Sequence, residues 1–379
     1  MTPVLNYTKR IVGVVFLLLQ HHAFAQLNNS QLFDNITVNP SDSGKFSIAV
    51  NNFNYLRNTE YFNKIELGRT LFGTQLHPTI GYQPTANIKL NAGVFLRSDF
   101  GATPSINQIL PTFSVKISNQ KHTRHFIFGA LEGALAHQLI EPLFDINSAI
   151  LNRIENGAQF KINNKKVFFD SWINWQKFIS QGSPYKEQFT TGFNFTPTIL
   201  STKSGFEILP TLQATAFHRG GQIDSDSSNM VMVFNGALGF TLKKSWQKTF
   251  VKQISASVYG TFYRENSNSG YLPYKNGMGL YPTIFVSTKW LDVMVNYWQA
   301  NKFIAPVGSS IYQSVAQYGG FTEKARKLLI LRLMYNHKLA DDLFLGARVE
   351  PIFDLKNKQT DYSYSLYLTY HLRHTFTQK

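Results

Sequence analysis

The sequence has no cysteine among its 379 residues, and acidic residues are scarce. The missing cysteine excludes a disulfide framework, a cysteine nucleophile and thiolate metal sites, so hydrogen bonding and burial must stabilise the fold. Asp and Glu together number 22 against 37 Lys and Arg, which gives a formal net charge of +15. Long apolar runs are absent too, since the clearest one, 11–19, is well short of the ~20 residues that a membrane-spanning helix needs.

The first 25 residues have the pattern of an export signal. A positive start, an apolar middle and a small-x-small end follow in order: Lys9 and Arg10, 11–19, and Ala23-Phe24-Ala25. This order predicts a signal peptide cleaved after Ala25, with a retained membrane anchor as the alternative. We therefore expect a signal peptide over 1–25, a periplasmic N-terminal segment over 26–44, and one domain over 45–379.

Apolar and polar side chains alternate through most of that domain, which is the pattern of a β-strand with two different faces. The last segment shows it well, with one apolar set and one polar set: Tyr362, Tyr364, Leu366, Leu368, Tyr370 and Leu372, against Ser363, Ser365, Thr369, His371 and Arg373. We predict strands near 45–55, 67–83, 87–100, 109–118, 122–132, 157–164, 166–177, 186–199, 205–219, 229–243, 251–264, 278–289, 291–300, 326–338, 342–353 and 361–374. The first hairpin, around 56–65, follows the pattern least.

The connections between these strands alternate between short and long. Short periplasmic turns that alternate with longer outer loops are typical of a bacterial outer-membrane barrel. The mean hydropathy of −0.17 agrees with this, because only alternate positions of such strands face lipid. We therefore predict an all-β fold, a transmembrane antiparallel β-barrel of about sixteen strands (14–18) in the bacterial outer membrane. A soluble all-β protein is the alternative.

Two of the long loops are not merely polar. Apolar residues recur at helical spacing through 134–156, and 311–318 offers a second short helix. The pattern therefore predicts one or two short helices in the outer loops. They could fold into the barrel and narrow a pore, or cap the barrel from outside.

Motifs for catalysis are scarce. The sequence has no Gly-x-Ser-x-Gly, no His-Glu-x-x-His and no Walker loop. We therefore expect no enzyme, no catalytic residue, no metal site and no cofactor, with an outer-membrane hydrolase as a minor alternative.

The alternation assigns a set of polar and aromatic side chains to the barrel interior, since a lipid-facing charge costs about 2–4 kcal/mol at the membrane midplane. The candidate pore-lining residues are Lys89, Arg97, Asp170, Trp172, Arg332, Arg348, Glu350 and Arg373. The candidate residues of a constriction loop are Glu141, Asp145, Arg153 and Glu155. These sets could contact a solute, or they could form a charge network that fixes an inserted loop.

The start of the mature chain resembles a known family. Segments 30–35 (Ser-Gln-Leu-Phe-Asp-Asn) and 39–44 (Asn-Pro-Ser-Asp-Ser-Gly) are similar to the opening of PorP/SprF-like outer-membrane proteins. The resemblance implies an outer-membrane barrel associated with type IX secretion and surface delivery of adhesins. It covers only these two short segments.

Three functions are open from the sequence. A passive channel for small solutes, anions among them, fits the basic interior, because a ring of Arg and Lys favours anions. A barrel scaffold in surface protein secretion or attachment is the alternative, and an outer-membrane hydrolase is the third. The expected partners are outer-membrane lipid and glycolipid, small solutes and other envelope proteins, but no nucleic acid.

Overall fold

The structure is a computed structural model that describes Leu32, 35–267, 270–318 and 320–376. The expected signal peptide and its cleavage site lie outside these residues. The described chain forms one closed antiparallel sheet of sixteen long strands, in which consecutive long strands pair and β1 pairs with β17; the two-residue strand β9 pairs with β10 beside β8. The strands are β1 (Lys45–Glu60), β2 (Arg69–Thr85), β3 (Ile88–Asp99), β4 (Gln108–Ser118), β5 (Arg124–Ala130), β6 (Asn156–Asn163), β7 (Val167–Lys177), β8 (Glu187–Pro197), β9 (Leu200–Ser201), β10 (Phe206–Gly220), β11 (Val231–Ser245), β12 (Val251–Glu265), β13 (Asn276–Thr288), β14 (Asp292–Asn301), β15 (Ala325–Ala340), β16 (Leu343–Asp354) and β17 (Gln359–Thr375).

Each strand has an outer face and an inner face, because successive side chains point to opposite sides of a sheet. On β17, Tyr364 and Leu366 are exposed on the outer wall, whereas Ser363 and Ser365 are buried in the lumen. An apolar wall around a polar interior is the arrangement of a transmembrane barrel. The predicted fold class is confirmed.

The two ends of the barrel differ in the length of their connections. The end that carries both strand termini has short turns such as 86–87 and 341–342, and the opposite end has long loops such as 131–155 and 302–324. One boundary was predicted wrongly, because β1 does not end near residue 55. It continues to Glu60, so the irregular first hairpin is a regular strand followed by a loop over 61–68.

The prediction of a short helix in the loop 134–156 is confirmed. The loop contains a single helical turn, α1 (Ser148–Leu151), together with 3-10 turns at Ala134–His137 and Glu141–Leu143. Pro142 and the left-handed backbone of Gln138 interrupt a regular helix. The predicted second helix at 311–318 is likewise only a 3-10 turn. Among the described residues, no helix has the length and apolar character needed to cross a membrane.

The buried apolar core lies inside the lumen. Two long loops, 131–155 and 302–324, fold inward and touch each other where the Ser309 backbone N–H donates to the Glu141 backbone oxygen at 3.2 Å. We call these two loops the plug. They bury apolar side chains against the inner wall, and these include Ile140, Leu143, Phe303, Ile304, Ala305 and Tyr312.

The chain before β1 also enters the lumen. Two hydrogen bonds join the Asn39 backbone to the Gln83 side chain. The Asn39 N–H donates to Gln83 Oε1, and Gln83 Nε2 donates to the Asn39 backbone oxygen. Further up, the Ile36 N–H donates to Glu132, and Leu32 is buried beside Phe53. The described part of the segment predicted over 26–44 therefore reaches from the terminal end of the barrel to the plug.

Candidate functional site

Three of the predicted residues, Glu155, Asp170 and Trp172, come together around a histidine that the sequence analysis missed. His137 lies between Asp170 and Glu155, with nitrogen–oxygen distances of 2.9 and 2.8 Å. Its ring stacks on Trp172, with centroids 3.5 Å apart and planes 9° apart. Because both ring nitrogens are occupied by carboxylates, His137 cannot take a proton from a substrate in this arrangement. The cluster anchors the plug to β7.

A second buried network fixes the other side of the plug. Arg332 on β15 binds Glu141 of the plug, Glu350 on β16 at 2.9 Å and the Tyr312 hydroxyl at 3.0 Å. Arg57 on β1 binds Glu350 at 2.8 Å, and its Nε donates to Asn147 of the plug at 2.9 Å. These charges are compensated across strands, which is the condition for keeping ions out of water. The sequence analysis did not single out Arg57, although its inner-face position on β1 carried the signal.

The other predicted residues also lie on the inner side of the barrel or in the plug. Arg97 donates to the Leu151 oxygen at 2.9 Å, Arg153 donates to the Leu32 oxygen at 2.7 Å, and Asp145 accepts from the Asn147 N–H at 3.0 Å. Arg348 lies over the Tyr367 ring, Lys89 donates to Ser47, and Arg373 donates to the Thr37 oxygen. Most of them therefore contact the plug or the segment before β1, and whether they contact a solute stays a prediction.

The middle of the lumen is filled by packed aromatic side chains. Trp298 on β14 makes edge contacts with Phe303 and Tyr312 of the plug at centroid distances of 5.1 and 5.5 Å. All three side chains are completely buried. A solute would have to displace this packing in order to cross the barrel, since protein interiors of this kind are close-packed.

A separate set of polar side chains lies on the outer wall of the barrel, away from the networks in the lumen. On β1, the residues Phe46, Ile48 and Val50 face outward, and the same face continues with hydrogen-bonding side chains that only the Leu56–Phe72 pair interrupts. This polar row consists of Asn52, Asn54, Asn58 and Glu60 on β1 and Thr70 and Thr74 on β2. The strand register places Asn54 opposite Thr74 and Asn58 opposite Thr70.

The lower half of the polar row lies at mid-height of the wall. Asn52 Nδ2 donates to the Thr74 hydroxyl at 3.1 Å and to the Gln75 backbone oxygen at 2.9 Å. Asn54 Nδ2 in turn donates to Asn52 Oδ1 at 2.5 Å and to the Leu368 backbone oxygen at 3.3 Å. Each amide is therefore partly satisfied by a neighbour, which lowers the cost of about 2–7 kcal/mol for an unpaired amide in an apolar medium.

The upper half of the row lies near the long-loop end, beside outward-facing tyrosines. Asn58 Nδ2 donates to Glu60 Oε1 at 2.7 Å and to the Tyr364 hydroxyl at 3.2 Å. The Thr70 hydroxyl donates to Asn58 Oδ1 at 2.6 Å. Glu60 is thus a carboxylate held by an amide at the depth where Tyr side chains mark a membrane interface.

The row has apolar neighbours on β17 and a polar neighbour on β3. Leu368 lies opposite Asn54 and is exposed on the wall with Leu366, whereas Ser98 on β3 lies opposite Thr74. Polar side chains that face lipid are costly, and in membrane proteins they mark functional positions. The polar row is therefore the strongest candidate for a site on the outer wall. The sequence analysis did not single out the row, since the predicted first strand ends near residue 55 and leaves out Asn58 and Glu60.

Comparison with known families gives a match over nearly the whole barrel. The family model described as "Lipid A 3'-O-deacylase-type" matches residues 38–379. The chain belongs to the lipid A 3'-O-deacylase-type family. This is an enzyme family, so the expectation that the chain is not an enzyme is wrong. A search of curated proteins finds no match.

Solved outer-membrane proteins share the fold of this lipid A 3'-O-deacylase-type chain. The outer membrane protein OprD from Pseudomonas aeruginosa is 11% identical with a TM-score of 0.52, covering 87% of this chain and 94% of that one. A loop L8 deletion mutant of OmpT, an outer membrane protein of Vibrio cholerae, is 8% identical with a TM-score of 0.52, covering 87% of this chain and 100% of that one. The likeness shows the fold of a porin-like outer-membrane barrel.

These comparisons do not support the narrower resemblance to PorP/SprF-like proteins. Of the two segments that carry it, only Leu32, Asn35 and 39–44 are described by the structure. The secretion role that the resemblance implies stays a prediction.

Proposed function

We propose that the protein is an outer-membrane acyl-ester hydrolase that acts on a glycolipid of the lipid A type, at the polar row on its outer wall. The polar row itself carries the proposal, because it puts hydrogen-bonding groups where a membrane lipid meets the barrel. A lipid in the outer leaflet reaches the wall by lateral diffusion, whereas the lumen is filled by the plug. The family to which the chain belongs supports a reaction on an acyl ester.

In this proposal Glu60 is the general base. It accepts a proton from a water molecule while the water oxygen attacks the ester carbonyl carbon, and Asn58, at 2.7 Å, holds the carboxylate in place. The bond between the carbonyl carbon and the sugar oxygen then breaks, and that oxygen takes up a proton. The products are a free fatty acid and a glycolipid with a free hydroxyl.

The lower half of the row contacts the acyl side of the same substrate. The Thr74 hydroxyl accepts from Asn52 Nδ2, so its own hydrogen can be donated to an ester carbonyl oxygen below the head group, and the amides of Asn52 and Asn54 hold it in place. Donors aimed at an oxygen that gains negative charge stabilise a tetrahedral intermediate. Such hydrogen bonds are strong at this position because little water competes with them beside the hydrocarbon layer of the membrane.

The test uses the full chain in mixed micelles with purified lipid A, and mass spectrometry that detects the loss of one acyl chain. Glu60→Gln keeps the size and the hydrogen bond from Asn58 but removes the base, so we expect a rate decrease of about 10²-fold or more. Glu187→Gln is the matched control, since Glu187 begins β8 at the same end of the barrel on another part of the wall. Wild-type protein that releases no fatty acid, or a Glu60→Gln variant as active as wild type, would refute the proposal.

A second candidate is a passive channel for small solutes, anions among them. It is supported by the porin-like fold and by a cavity below the plug that basic side chains line. Conductance in planar bilayers would have to appear in wild-type protein and rise when the plug is shortened. A shortened plug that leaves conductance at the baseline would exclude it.

A further inference from the structure

The periplasmic half of the lumen contains a cavity of about 670 Å³ between the plug and the mouth of the barrel. We call it the vestibule. Its polar wall includes Lys89, Asn91, Ser47, His371 and Arg373. A volume of this size lies within the 300–1,000 Å³ range of small-molecule sites. The vestibule lies inside the lumen near the short-turn end, whereas the upper half of the polar row lies on the outer wall near the long-loop end. Its role is therefore separate from the proposed hydrolysis.

Lys89 on β3 is a buried ammonium at this wall. Its side chain is 3% exposed, and Nζ donates to the Ser47 hydroxyl at 2.6 Å. No carboxylate lies within ion-pair distance of Lys89 in the part of the chain that the structure describes. An ammonium ion away from water is costly unless a counter-charge accompanies it. Lys89 therefore has a charge that an incoming anion could neutralise.

The neighbouring strand is shaped to hold Lys89 in this position. A Cβ atom on Gly81 of β2 would lie 2.7 Å from both Cε and Nζ of Lys89 and 2.7 Å from Asn91 Oδ1. Only a residue without a side chain leaves this space, so Lys89 is held against the β2 backbone. A substitution of Gly81 that adds a Cβ atom would therefore displace the Lys89 ammonium without removing its charge.

Arg373 on β17 adds a second positive charge to the same cavity. Its guanidinium donates to the Thr37 backbone oxygen at 3.2 Å and is exposed toward the vestibule. The acid deeper in the cavity, Glu132 of the plug, is already neutralised by Lys116 and Lys161 at 2.6 and 2.7 Å. Asp342 is the other acidic residue of the lining. The vestibule therefore keeps an excess of positive charge.

We propose that the vestibule binds a small organic anion that carries a phosphate group and enters from the periplasm, with Lys89 and Arg373 as its charged contacts. The Ser47 hydroxyl and the Asn91 amide supply neutral hydrogen bonds beside the two cations. The apolar part of the lining, formed by residues such as Leu131, Leu135 and Phe344, leaves room for an organic body larger than a bare ion.

Calorimetric titration of the purified full chain in phosphate-free detergent buffer tests this inference with three probes. Glucose 6-phosphate is expected to bind saturably, and inorganic phosphate is expected to bind more weakly because it leaves the apolar lining empty. Glucose is expected not to bind. If inorganic phosphate binds as tightly as glucose 6-phosphate, the site is a simple phosphate site and the organic part of the proposal fails. If neither anion binds, the whole inference is overturned.

Three variants assign the contacts. Lys89→Met and Arg373→Gln should each weaken glucose 6-phosphate binding at least tenfold, and Gly81→Ala should do so because it displaces the Lys89 ammonium. Lys244→Met is the matched control, since Lys244 lies at the same end of the barrel but donates to the Ser204 backbone oxygen outside the vestibule. Arg373 is exposed, so its variant should fold even if Lys89→Met does not. Unchanged affinity in Arg373→Gln and Gly81→Ala would refute the assignment.

Discussion

The lumen and the outer wall of this barrel both hold polar side chains away from bulk water, but they satisfy them differently. In the lumen, charges are paired across several strands and with the plug, as in the contacts of Arg332 with Glu141 and Glu350. On the wall, the side chains of the polar row bind mainly one another. The luminal groups therefore hold the architecture together. The hydrogen bonds of the wall groups to other residues join β1 to its neighbours β2 and β17 rather than to the plug. We therefore assign these groups to function.

The largest expected effect is the loss of a luminal anchor. Asp170→Ala leaves His137 with a single carboxylate partner and removes both acceptors of Gln159. Breaking a buried ion pair from one side costs about 3–5 kcal/mol, so the free energy of unfolding should fall by that amount. Urea unfolding in lipid vesicles, followed by tryptophan fluorescence, measures it. Asp170→Asn keeps hydrogen bonding and should lose less, whereas an Asp170→Ala variant as stable as wild type would show that the cluster does not anchor the plug.

The same substitution in the two regions should have opposite consequences. Asn194 is buried in the lumen and donates to the backbone oxygens of His137 and Gln138 at 2.9 and 2.8 Å. Asn194→Leu removes the side-chain donor of the His137 oxygen, while the Gln138 oxygen keeps Gln213, and should cost about 1–3 kcal/mol. Asn52→Leu puts an apolar side chain against lipid and should leave stability unchanged or raise it, while lowering the proposed hydrolase rate about tenfold.

Unfolding and activity measured on both variants separate the two roles. If Asn52→Leu destabilises the barrel as much as Asn194→Leu does, the polar row is structural. Full activity in Asn52→Leu would remove Asn52 from the proposed site without affecting the role of Glu60.

The smallest expected effect is at an exposed ion pair of a periplasmic turn. The hydrogen bond and charge of Lys338, at 2.7 Å, lower the pKa of the Asp341 carboxyl. Any stabilisation from this carboxylate is present above its unfolded pKa and is lost as the pH falls through the lower folded pKa. Because both groups are exposed, Asp341→Asn should not measurably change the urea midpoint at pH 7. A clear decrease in the urea midpoint would mean that exposed ion pairs stabilise the barrel as much as luminal ion pairs do.

Much of the fold could be predicted because the pattern of a barrel strand is local. The alternation in 361–374 and 342–353 assigned inner and outer faces correctly, since a side chain's face depends only on its position along the strand. The helical turns within 134–156 and 311–318 are shorter than the apolar spacing indicates, for the opposite reason. Their apolar residues are buried against several walls of the lumen, so their spacing reflected contacts from many directions rather than one helical stripe.

The polar row could have been found by extending the same alternation. Phe46, Ile48 and Val50 share a face with Asn52 and Asn54, and the pattern continues to Glu60. Because 56–65 follows the alternation least, the predicted first strand ends near residue 55, before Asn58 and Glu60. His137 is a different case, because its partners Glu155 and Asp170 lie 18 and 33 residues away and only the inward fold of the loop brings them together.

By itself, the sequence determined that the chain forms an antiparallel barrel and which side chains face inward, because both follow from a period of two and from the lengths of the connections. Only the tertiary structure decided that the middle of the lumen is filled, that Glu141, Glu155 and Asp170 anchor a plug, and that Lys89 lies in a cavity with no carboxylate within ion-pair distance among the described residues. These features depend on contacts between strands and loops far apart in the chain. The free energy of such contacts is set by burial and by the positions of partners, and no local pattern records either.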